Sequence, residues 1–252
     1  MKENNFERFK NLDFEGFRKL AQDPSLSPYE KIGFPNSYRE GKEESIFLDI
    51  VRKTTNLQKK KQLVVDIGPG CSGLPLMLID WCRDHENELL LIDSKEMLDQ
   101  LPDEKFITKV SGYYPRDCRL LFEKYGGKVD VILAYSIFHY VFAEGNIFDF
   151  IDSSLMLIAH GGVMLLGDIP NISKRKRFFS SPGGIKFHQQ FTGTDEIPEV
   201  HFNTIEPGQI DDSVLLSILQ RCRNAGYDAY WLPQAADLPM WNRREDLLIF
   251  KP

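Results

Sequence analysis

The sequence has 252 residues and a formal net charge of −6 at pH 7, with the hydrophobic content of a protein that forms one globular core. The acidic balance argues against nucleic acid as a partner, because neutralising phosphates requires clustered Lys and Arg. No apolar run approaches the roughly 20 residues of a membrane-spanning helix, and the opening stretch lacks the apolar core of a signal peptide, so we expect a cytoplasmic protein without a membrane partner. The cysteines are scattered without a metal-binding spacing, which predicts free thiols: Cys71, Cys82, Cys118 and Cys222.

The first predicted unit, residues 1–61, is a cap of helices interrupted by "DPSLSPYEKIGFPNSYREG". Its last part, "KEESIFLDIVRKTTNL", places Ile46, Ile50 and Val51 at helical spacing. We therefore expect this helix to pack on the main domain, residues 62–252, and the earlier part of the cap to cover its ligand side.

From Leu63 onward, short aliphatic runs alternate with amphipathic stretches, the pattern of a parallel sheet with crossover helices. The predicted strands cover 62–67, 88–93, 105–110, 129–135 and 162–168. The predicted helices begin near Leu74, Lys95, Pro115 and Asn146. An α/β fold follows from this alternation.

An insert at 169–212 then breaks the rhythm, since it is rich in Gly, Pro and Ser and shows no sustained period. Such a segment is typical of a lid or a binding loop. Its basic run "SKRKRFF" is either a phosphate contact or the solvated face of a helix, and His188 and His201 are candidate substrate contacts. A helix from "DDSVLLSILQRCRNAGY" and two strands, "DAYWLP" and "DLLIFKP", complete the chain.

The stretch "LVVDIGPGCSGLP" contains Gly68, Gly70 and Gly73 in a GxGxxG pattern between a predicted strand and a predicted helix. Glycine permits the sharp turn and lets a ligand approach the backbone closely. Asp93 ends the next strand, twenty residues after Gly73, where a carboxylate accepts the hydroxyls of an adenosine ribose. The pattern fits either NAD or S-adenosylmethionine.

Three features favour S-adenosylmethionine. Asp66 lies two residues before Gly68, where its charge would repel a pyrophosphate but suits a ligand with an ammonium and a sulfonium group. No YxxxK pair of the kind a short-chain dehydrogenase uses for proton transfer follows the glycine turn; the YxxxK at Tyr38 to Lys42 precedes it. The C-terminal order of helix, strand, long connection and strand matches a methyltransferase sheet.

Residues 62–252, about three-quarters of the chain, resemble class I S-adenosylmethionine-dependent methyltransferases. The segments that carry the resemblance are "VVDIGPGCSG", "LLLIDSKEML", "VDVILAYSIFHYV" and "HGGVMLLGDI". The resemblance implies a seven-stranded, mostly parallel Rossmann-like sheet whose last strand is antiparallel, with helices on both faces and the helical cap before it. It also implies S-adenosylmethionine as the cofactor.

By this resemblance the glycine turn surrounds the methionine end of the cofactor, Asp93 binds the ribose, and Ser94 and Met97 lie beside the adenine. The sequence departs from many members after the third strand, where "KVSGYYP" offers Ser111 and Gly112 in place of an acid, so we expect backbone contacts to the adenine there. The remaining predicted cofactor contacts lie in the turn and after the fourth strand: Asp66, Gly68, Pro69, Gly70, Gly73, Tyr135 and Ser136.

Two residues are candidate catalytic groups. His139 is the candidate general base, because an imidazole takes up a proton near neutral pH; its alternative role is helix packing under the cofactor. Asp168 is a second candidate base or acceptor-orienting carboxylate, with capping of the next helix as its alternative. Because strand four ends in Ala134 and Tyr135 without a carboxylate, no metal site is expected.

In the cap, Arg39 is a candidate ligand for the cofactor's carboxylate and Tyr38 a candidate lid. The alternative is a solvated Arg beside a packed Tyr.

We expect transfer of a methyl group to an oxygen or nitrogen of a small molecule, including a sugar or a nucleotide-linked sugar. Two other functions stay open at this point, an NAD-dependent oxidoreductase and a non-catalytic methyltransferase-like binding module. The oligomeric state does not follow from the sequence.

Overall fold

The computed structural model describes Phe9 and residues 12–252; the part of the predicted cap on residues 1–8, 10 and 11 lies outside these. The centre of the fold is a seven-stranded sheet in the order β3-β2-β1-β4-β5-β7-β6. β7 runs antiparallel to β5 and β6, and the other neighbours pair in parallel. The predicted sheet is confirmed, with strands β1 (Leu63–Ile67), β2 (Glu88–Asp93), β3 (Ile107–Ser111), β4 (Val129–Tyr135), β5 (Ile158–Pro170), β6 (Asp228–Pro233) and β7 (Arg244–Phe250).

The helices cover both faces of the sheet, which is why β1, β2 and β4 read as continuous apolar runs. Two buried clusters join the sheet to the helices that cover it. The helices of the main domain are α5 (Gly73–Asp84), α6 (Lys95–Leu98), α7 (Arg119–Tyr125), α8 (Phe138–Glu144), α9 (Ile147–Leu157), α10 (Ile172–Phe179), α11 (Pro182–Thr192) and α12 (Asp212–Asn224).

The cap contributes α1 (Phe14–Gln22), α2 (Pro28–Lys31), α3 (Asn36–Arg39) and α4 (Glu43–Lys53). α4 buries Ile46 and Ile50 against the sheet, as their spacing predicts. α1 is joined to α6 by an ion pair between Arg18 and Glu96 at 2.7 Å. The described part of the cap is therefore packed against the main domain at both ends.

The expectation of an irregular insert is wrong for residues 172–192, which form α10 and α11. Each helix has a side-chain cap that stabilises its first turn: Asn171 accepts from the backbone N–H groups of Ser173 and Lys174, and Ser181 accepts from that of Gly184. Exposed aromatic and basic residues obscure the helical period. α7 also begins at Arg119, after the predicted Pro115, and the sequence did not predict α8 as a separate helix.

Within the described residues, no helix is long and apolar enough to cross a bilayer. No group of three or more His, Cys, Asp or Glu side chains is arranged to hold a metal ion in the same part of the chain.

Candidate functional site

A cavity lies at the carboxyl edge of the sheet, where the strand order reverses between β1 and β4. Crevices at this point of open α/β sheets are their usual ligand sites. Four parts of the chain form its walls: the cap, the glycine turn after β1, the end of β2 and the segment after β4. The predicted site residues on its wall are Gly68, Pro69, Gly70, Asp93, Met97, Gly112, Tyr135, Ser136 and Arg39.

The glycine turn needs glycine at two positions. Gly68 and Gly70 have φ values of 71° and 67°, which favour residues without a Cβ atom. A Cβ atom would also lie 2.7 Å from the Ile137 side chain at Gly68 and 2.6 Å from that of Ile32 at Gly70. The turn is therefore packed between the cap and the segment after β4, and only glycine fits there.

Asp93 holds the turn in place from the end of β2. Its carboxylate accepts hydrogen bonds from the backbone N–H of Gly70 at 3.0 Å and from that of Ser94 at 2.6 Å. Burial raises the pKa of Asp93 to about 6, although these two bonds oppose the rise. Because a carboxylate oxygen accepts more than one hydrogen bond, both oxygens retain capacity towards the cavity.

Four predicted cofactor residues lie beside the cavity and do not form its wall: Asp66, Gly73, Ser94 and Ser111. Asp66 is buried at the end of β1, where burial, followed by the charge of Asp93, raises its pKa to about 7. Ser94 caps α6 by accepting from the backbone N–H of Met97 at 3.3 Å. Ser111 pairs with Asp93 in the sheet, so these residues support the residues that do line the cavity.

Arg39 enters the cavity from α3 and is only 4% exposed. Its Nη2 donates to Ser136 Oγ at 2.5 Å and to Asp168 Oδ2 at 2.9 Å. Its guanidinium carbon lies 4.3 Å from the centre of the Phe34 ring, and its Nε is buried without a hydrogen-bond partner within the described residues. Tyr38, the other candidate in the cap, lines a separate groove.

Sequence reasoning missed Glu43, which lines the same cavity from the first turn of α4. The residue is 6% exposed, and its Oε1 has no hydrogen-bond partner among the described residues. A Cβ atom on Gly73 would lie 2.2 Å from Glu43 Oε2, so this glycine admits the carboxylate. The helical period of the sequence could have predicted its burial, because Glu43 lies on the same face of α4 as Ile46, Phe47 and Ile50.

Asp168 lies at the end of β5 with a φ of 58°, opposite Ser136 at the end of β4 with a φ of 63°. Such values are uncommon for residues with a Cβ atom and concentrate at functional sites. Ser136 Oγ donates to the Asp168 carboxylate. Burial alone would raise the pKa of Asp168, but the charges of Arg244 and Arg39 outweigh it and hold the pKa below its usual value. Asp168 is therefore an ionised partner of Arg39. Its alternative role, capping of the next helix, is filled by Asn171.

His139 lies in α8 behind Tyr140, which does line the cavity. The two rings are 3.9 Å apart between centroids, and His139 Nδ1 is buried without a partner in the described chain. Burial and the charge of Arg244 lower the pKa of His139 to about 3. At neutral pH the imidazole is uncharged and a weak proton acceptor, which argues against the predicted general-base role.

No protein-family model matches the sequence, and no curated protein sequence matches it. Solved structures do match. The CurJ carbon methyltransferase is 13% identical and matches 98% of this chain with a TM-score of 0.57. The plantazolicin methyltransferase BpumL, in complex with S-adenosylhomocysteine, is 15% identical and matches 98% of this chain with a TM-score of 0.55.

An O-methyltransferase family protein from Burkholderia thailandensis is 18% identical and matches 83% of this chain with a TM-score of 0.50. The chain spans 99% of BpumL, but only 65% of CurJ and 55% of the Burkholderia protein. The similarity extends over most of the chain. The chain therefore has the class I fold of S-adenosylmethionine-dependent methyltransferases.

Proposed function

We propose that the protein transfers a methyl group from S-adenosylmethionine to an oxygen or nitrogen of a small-molecule acceptor, with sugars and nucleotide-linked sugars among the candidates. The observation that carries the proposal is the charge pattern of the cavity. One carboxylate, Asp93, lies beside the glycine turn, and a buried carboxylate and a buried guanidinium, Glu43 and Arg39, enter from the cap.

The two cap residues fit the amino-acid end of the cofactor, which carries an ammonium and a carboxylate. Glu43 Oε1 is a buried acceptor without a donor, and Arg39 Nε is a buried donor without an acceptor. Leaving such groups unpaired is costly, so a ligand that satisfies both gains binding free energy. We assign the ammonium to Glu43, with Asp66 adding negative charge behind the turn, and the carboxylate to Arg39.

The adenosine end is assigned to the opposite part of the cavity. Asp93 accepts hydrogen bonds from the ribose hydroxyls. Met97 and Gly112 line this end, together with Tyr114 and Phe150, whose rings are 5.2 Å apart. Apolar and aromatic side chains suit the adenine ring, and the backbone beside Ser111 supplies the polar contacts.

When bound, the cofactor supplies an electrophilic methyl group: the acceptor's lone pair forms the new bond, the methyl–sulfur bond breaks, and S-adenosylhomocysteine and a proton are released. The chain's part is to hold the acceptor in line with that methyl group, an effect of about 7–11 kcal/mol when the geometry is near-attack. Asp168 acts as a positioning residue, because it fixes Arg39 and Ser136 at the cavity wall.

The same charges disfavour NAD. A dinucleotide places a doubly charged pyrophosphate at the glycine turn, where Gly70 N–H is already bonded to Asp93 and where Asp66 and Glu43 add further carboxylates. At separations of a few ångströms, like charges repel by about 1–4 kcal/mol per pair. A non-catalytic binding module would bind the cofactor through the same groups, so turnover is what distinguishes it.

The test is titration calorimetry of the purified protein with S-adenosylhomocysteine and, separately, with NAD. We expect micromolar binding of the first and none of the second. Asp93→Ala should weaken S-adenosylhomocysteine binding by about 1.5–3 kcal/mol, the contribution of hydrogen bonds to a charged group. Asp84→Asn, an exposed carboxylate at the end of α5, is the matched control. Binding of NAD instead, or an unchanged affinity in Asp93→Ala, would contradict the assignment.

A further inference from the structure

A second groove lies beside the cofactor cavity and has no role in the function proposed so far. Three parts of the chain form it: Ser37 and Tyr38 of α3, the insert helices α10 and α11, and residues 236–243, which precede β7. The insert thus forms one wall of this groove.

Aromatic side chains are unusually exposed along this groove. Phe187, Phe191 and Trp241 are 42%, 68% and 40% exposed, although they are large and apolar. The Phe187 and Phe191 rings stack nearly parallel, 6.4 Å apart between centroids. Grouped exposed aromatics of this kind mark binding surfaces, because they leave apolar area in contact with water.

The charges of the groove are mostly positive, in contrast to the protein as a whole. Lys42, Arg175 and Arg243 line it, against the single carboxylate of Asp237. Arg243 is half-buried, and no carboxylate in the described chain lies within ion-pair distance of it. Burial lowers the pKa of Arg243, and the charges of Arg244 and Arg175 add to the effect while Tyr38 opposes it. An anion placed here would relieve this repulsion.

The groove also contains an unsatisfied polar atom. Asn242 is 6% exposed, and its Oδ1 has no hydrogen-bond partner within the described residues. Buried acceptors are nearly always paired, so an unpaired one in a groove wall points to a donor on a ligand.

The groove shares its wall with the cofactor cavity. Tyr38 lines the groove while the next residue, Arg39, lines the cavity. Arg243 lines the groove while the next residue, Arg244, donates to the Asp168 backbone carbonyl at 3.0 Å. The walls of the groove and of the cavity are thus formed by neighbouring residues at Tyr38 and Arg39, and Arg243 is joined through Arg244 to Asp168.

We propose that this groove binds the methyl acceptor, and that the acceptor combines an aromatic ring with an anionic group. The ring packs among Phe187, Phe191 and Trp241, the anion pairs with Arg243 and Arg175, and a hydroxyl or N–H group donates to Asn242. An aryl carboxylate and a nucleotide-linked sugar share this chemistry. The assignment of the groove to the acceptor rests on the proposed function.

The test uses two fluorescent probes of similar shape, the anionic 1-anilinonaphthalene-8-sulfonate and the neutral N-phenyl-1-naphthylamine. Both are titrated into protein saturated with S-adenosylhomocysteine, which blocks the cofactor cavity. We expect Arg243→Gln to weaken the anionic probe by tenfold or more and the neutral probe by less than twofold. Arg175→Gln, at an exposed position, should weaken the anionic probe in the same direction, and the exposed Arg119→Gln on α7 should change neither.

Competition experiments then distinguish an aryl carboxylate from a nucleotide as the ligand of the groove. Displacement of the bound anionic probe by 3-hydroxy-2-naphthoate but not 2-naphthol supports an aryl carboxylate, and displacement by uridine monophosphate but not uridine supports a nucleotide. Equal binding of the two fluorescent probes, unchanged affinity in both arginine variants, or no saturable binding overturns the proposal. If the wild-type protein does not bind S-adenosylhomocysteine in calorimetry, the proposed function is refuted instead. The Arg243→Gln variant should bind S-adenosylhomocysteine as the wild type does.

Discussion

At the scale of single residues, the candidate site contains buried carboxylates that water solvates poorly. Burial raises the pKa of Asp93 to about 6 and that of Asp66 to about 7. A carboxyl group with a raised pKa in the folded state stabilises the fold below its unfolded pKa, near 4, and this contribution is lost as the pH rises through 6 and 7. Ionisation of these groups therefore opposes folding but favours a ligand that presents an ammonium group and hydroxyl donors to them.

The affinity for S-adenosylhomocysteine should accordingly rise with pH. At pH 5, one unit below the pKa of Asp93, about one tenth of that carboxyl is ionised, so we expect binding at least tenfold weaker than at pH 8. Calorimetry across this range measures the profile. In the Asp93→Asn variant the side chain cannot ionise, so S-adenosylhomocysteine should bind weakly and its affinity should depend less on pH. An affinity that is constant, or that is greater at pH 5, would contradict the roles of both carboxylates.

His139 gives a second prediction at this scale. Because its pKa of about 3 makes the imidazole a weak base at neutral pH, we expect His139→Ala to retain cofactor binding and to keep kcat within about tenfold of wild type once an acceptor is known. Steady-state kinetics with calorimetry in parallel separates the two effects. A loss of about 10²-fold or more in kcat with unchanged binding would restore the general-base role.

At the scale of elements, the cap helix α1 closes the cavity at the carboxyl edge of the sheet. Phe14 and Phe17 line the cavity, and the Phe17 ring packs edge-on against Tyr140 with centroids 4.8 Å apart. The Arg18–Glu96 ion pair fixes the helix to α6, and the bond from Gln100 to the Ala21 carbonyl at 2.9 Å fixes it to the turn after α6. A ligand in the cavity is thus enclosed by an element that is remote from the glycine turn in sequence.

Phe17→Ala should therefore weaken S-adenosylhomocysteine binding by about tenfold, equivalent to 1.4 kcal/mol, mainly through faster dissociation. Stopped-flow displacement gives the dissociation rate directly. Leu120→Ala, which removes an apolar side chain that is 76% exposed on α7, is the control and should leave that rate unchanged. An unaltered dissociation rate in Phe17→Ala would mean that α1 does not hold the ligand.

Across the whole molecule, buried charges join the cap to β7, the neighbour of the edge strand β6. Lys53 Nζ at the end of α4 donates to Asp49 at 2.5 Å and to Asp246 of β7 at 2.6 Å. Asp246 is fully buried and also accepts from the Asp168 backbone N–H at 2.8 Å. The strained end of β5, which positions Asp168, is therefore supported by a cation from the cap.

Lys53→Met should destabilise the protein by about 3–5 kcal/mol, because it leaves the Asp246 charge buried without its partner. For a chain of this size that corresponds to a fall in Tm of about 6–20 °C, measurable by calorimetry. Lys59→Met, at an exposed position after the 3-10 helix that follows α4, should change Tm by a few degrees at most. If the two variants unfolded at the same temperature, the buried ion pair would make no net contribution to the free energy of unfolding.

The sheet and the glycine turn follow from local features of the sequence. The alternation of aliphatic runs with helical periods predicts the parallel sheet, since each run is buried on both faces. The turn at Gly68 and Gly70 and the acid at Asp93 were predictable, because backbone conformation and chain distance impose them locally. A local argument does not extend to α10 and α11, whose helical period is obscured by exposed aromatics and basic residues that face the groove.

The partners of the cap residues depend on tertiary packing. Glu43 and Arg39 lie far in sequence from Asp93, Ser136 and Asp168, and no local pattern specifies which buried charges meet. The low proton affinity of His139 likewise arises from burial and from Arg244, more than one hundred residues away. Contacts between remote elements and the solvation of charged groups depend on the packed fold, whereas turns, strands and helical faces depend on neighbours along the chain.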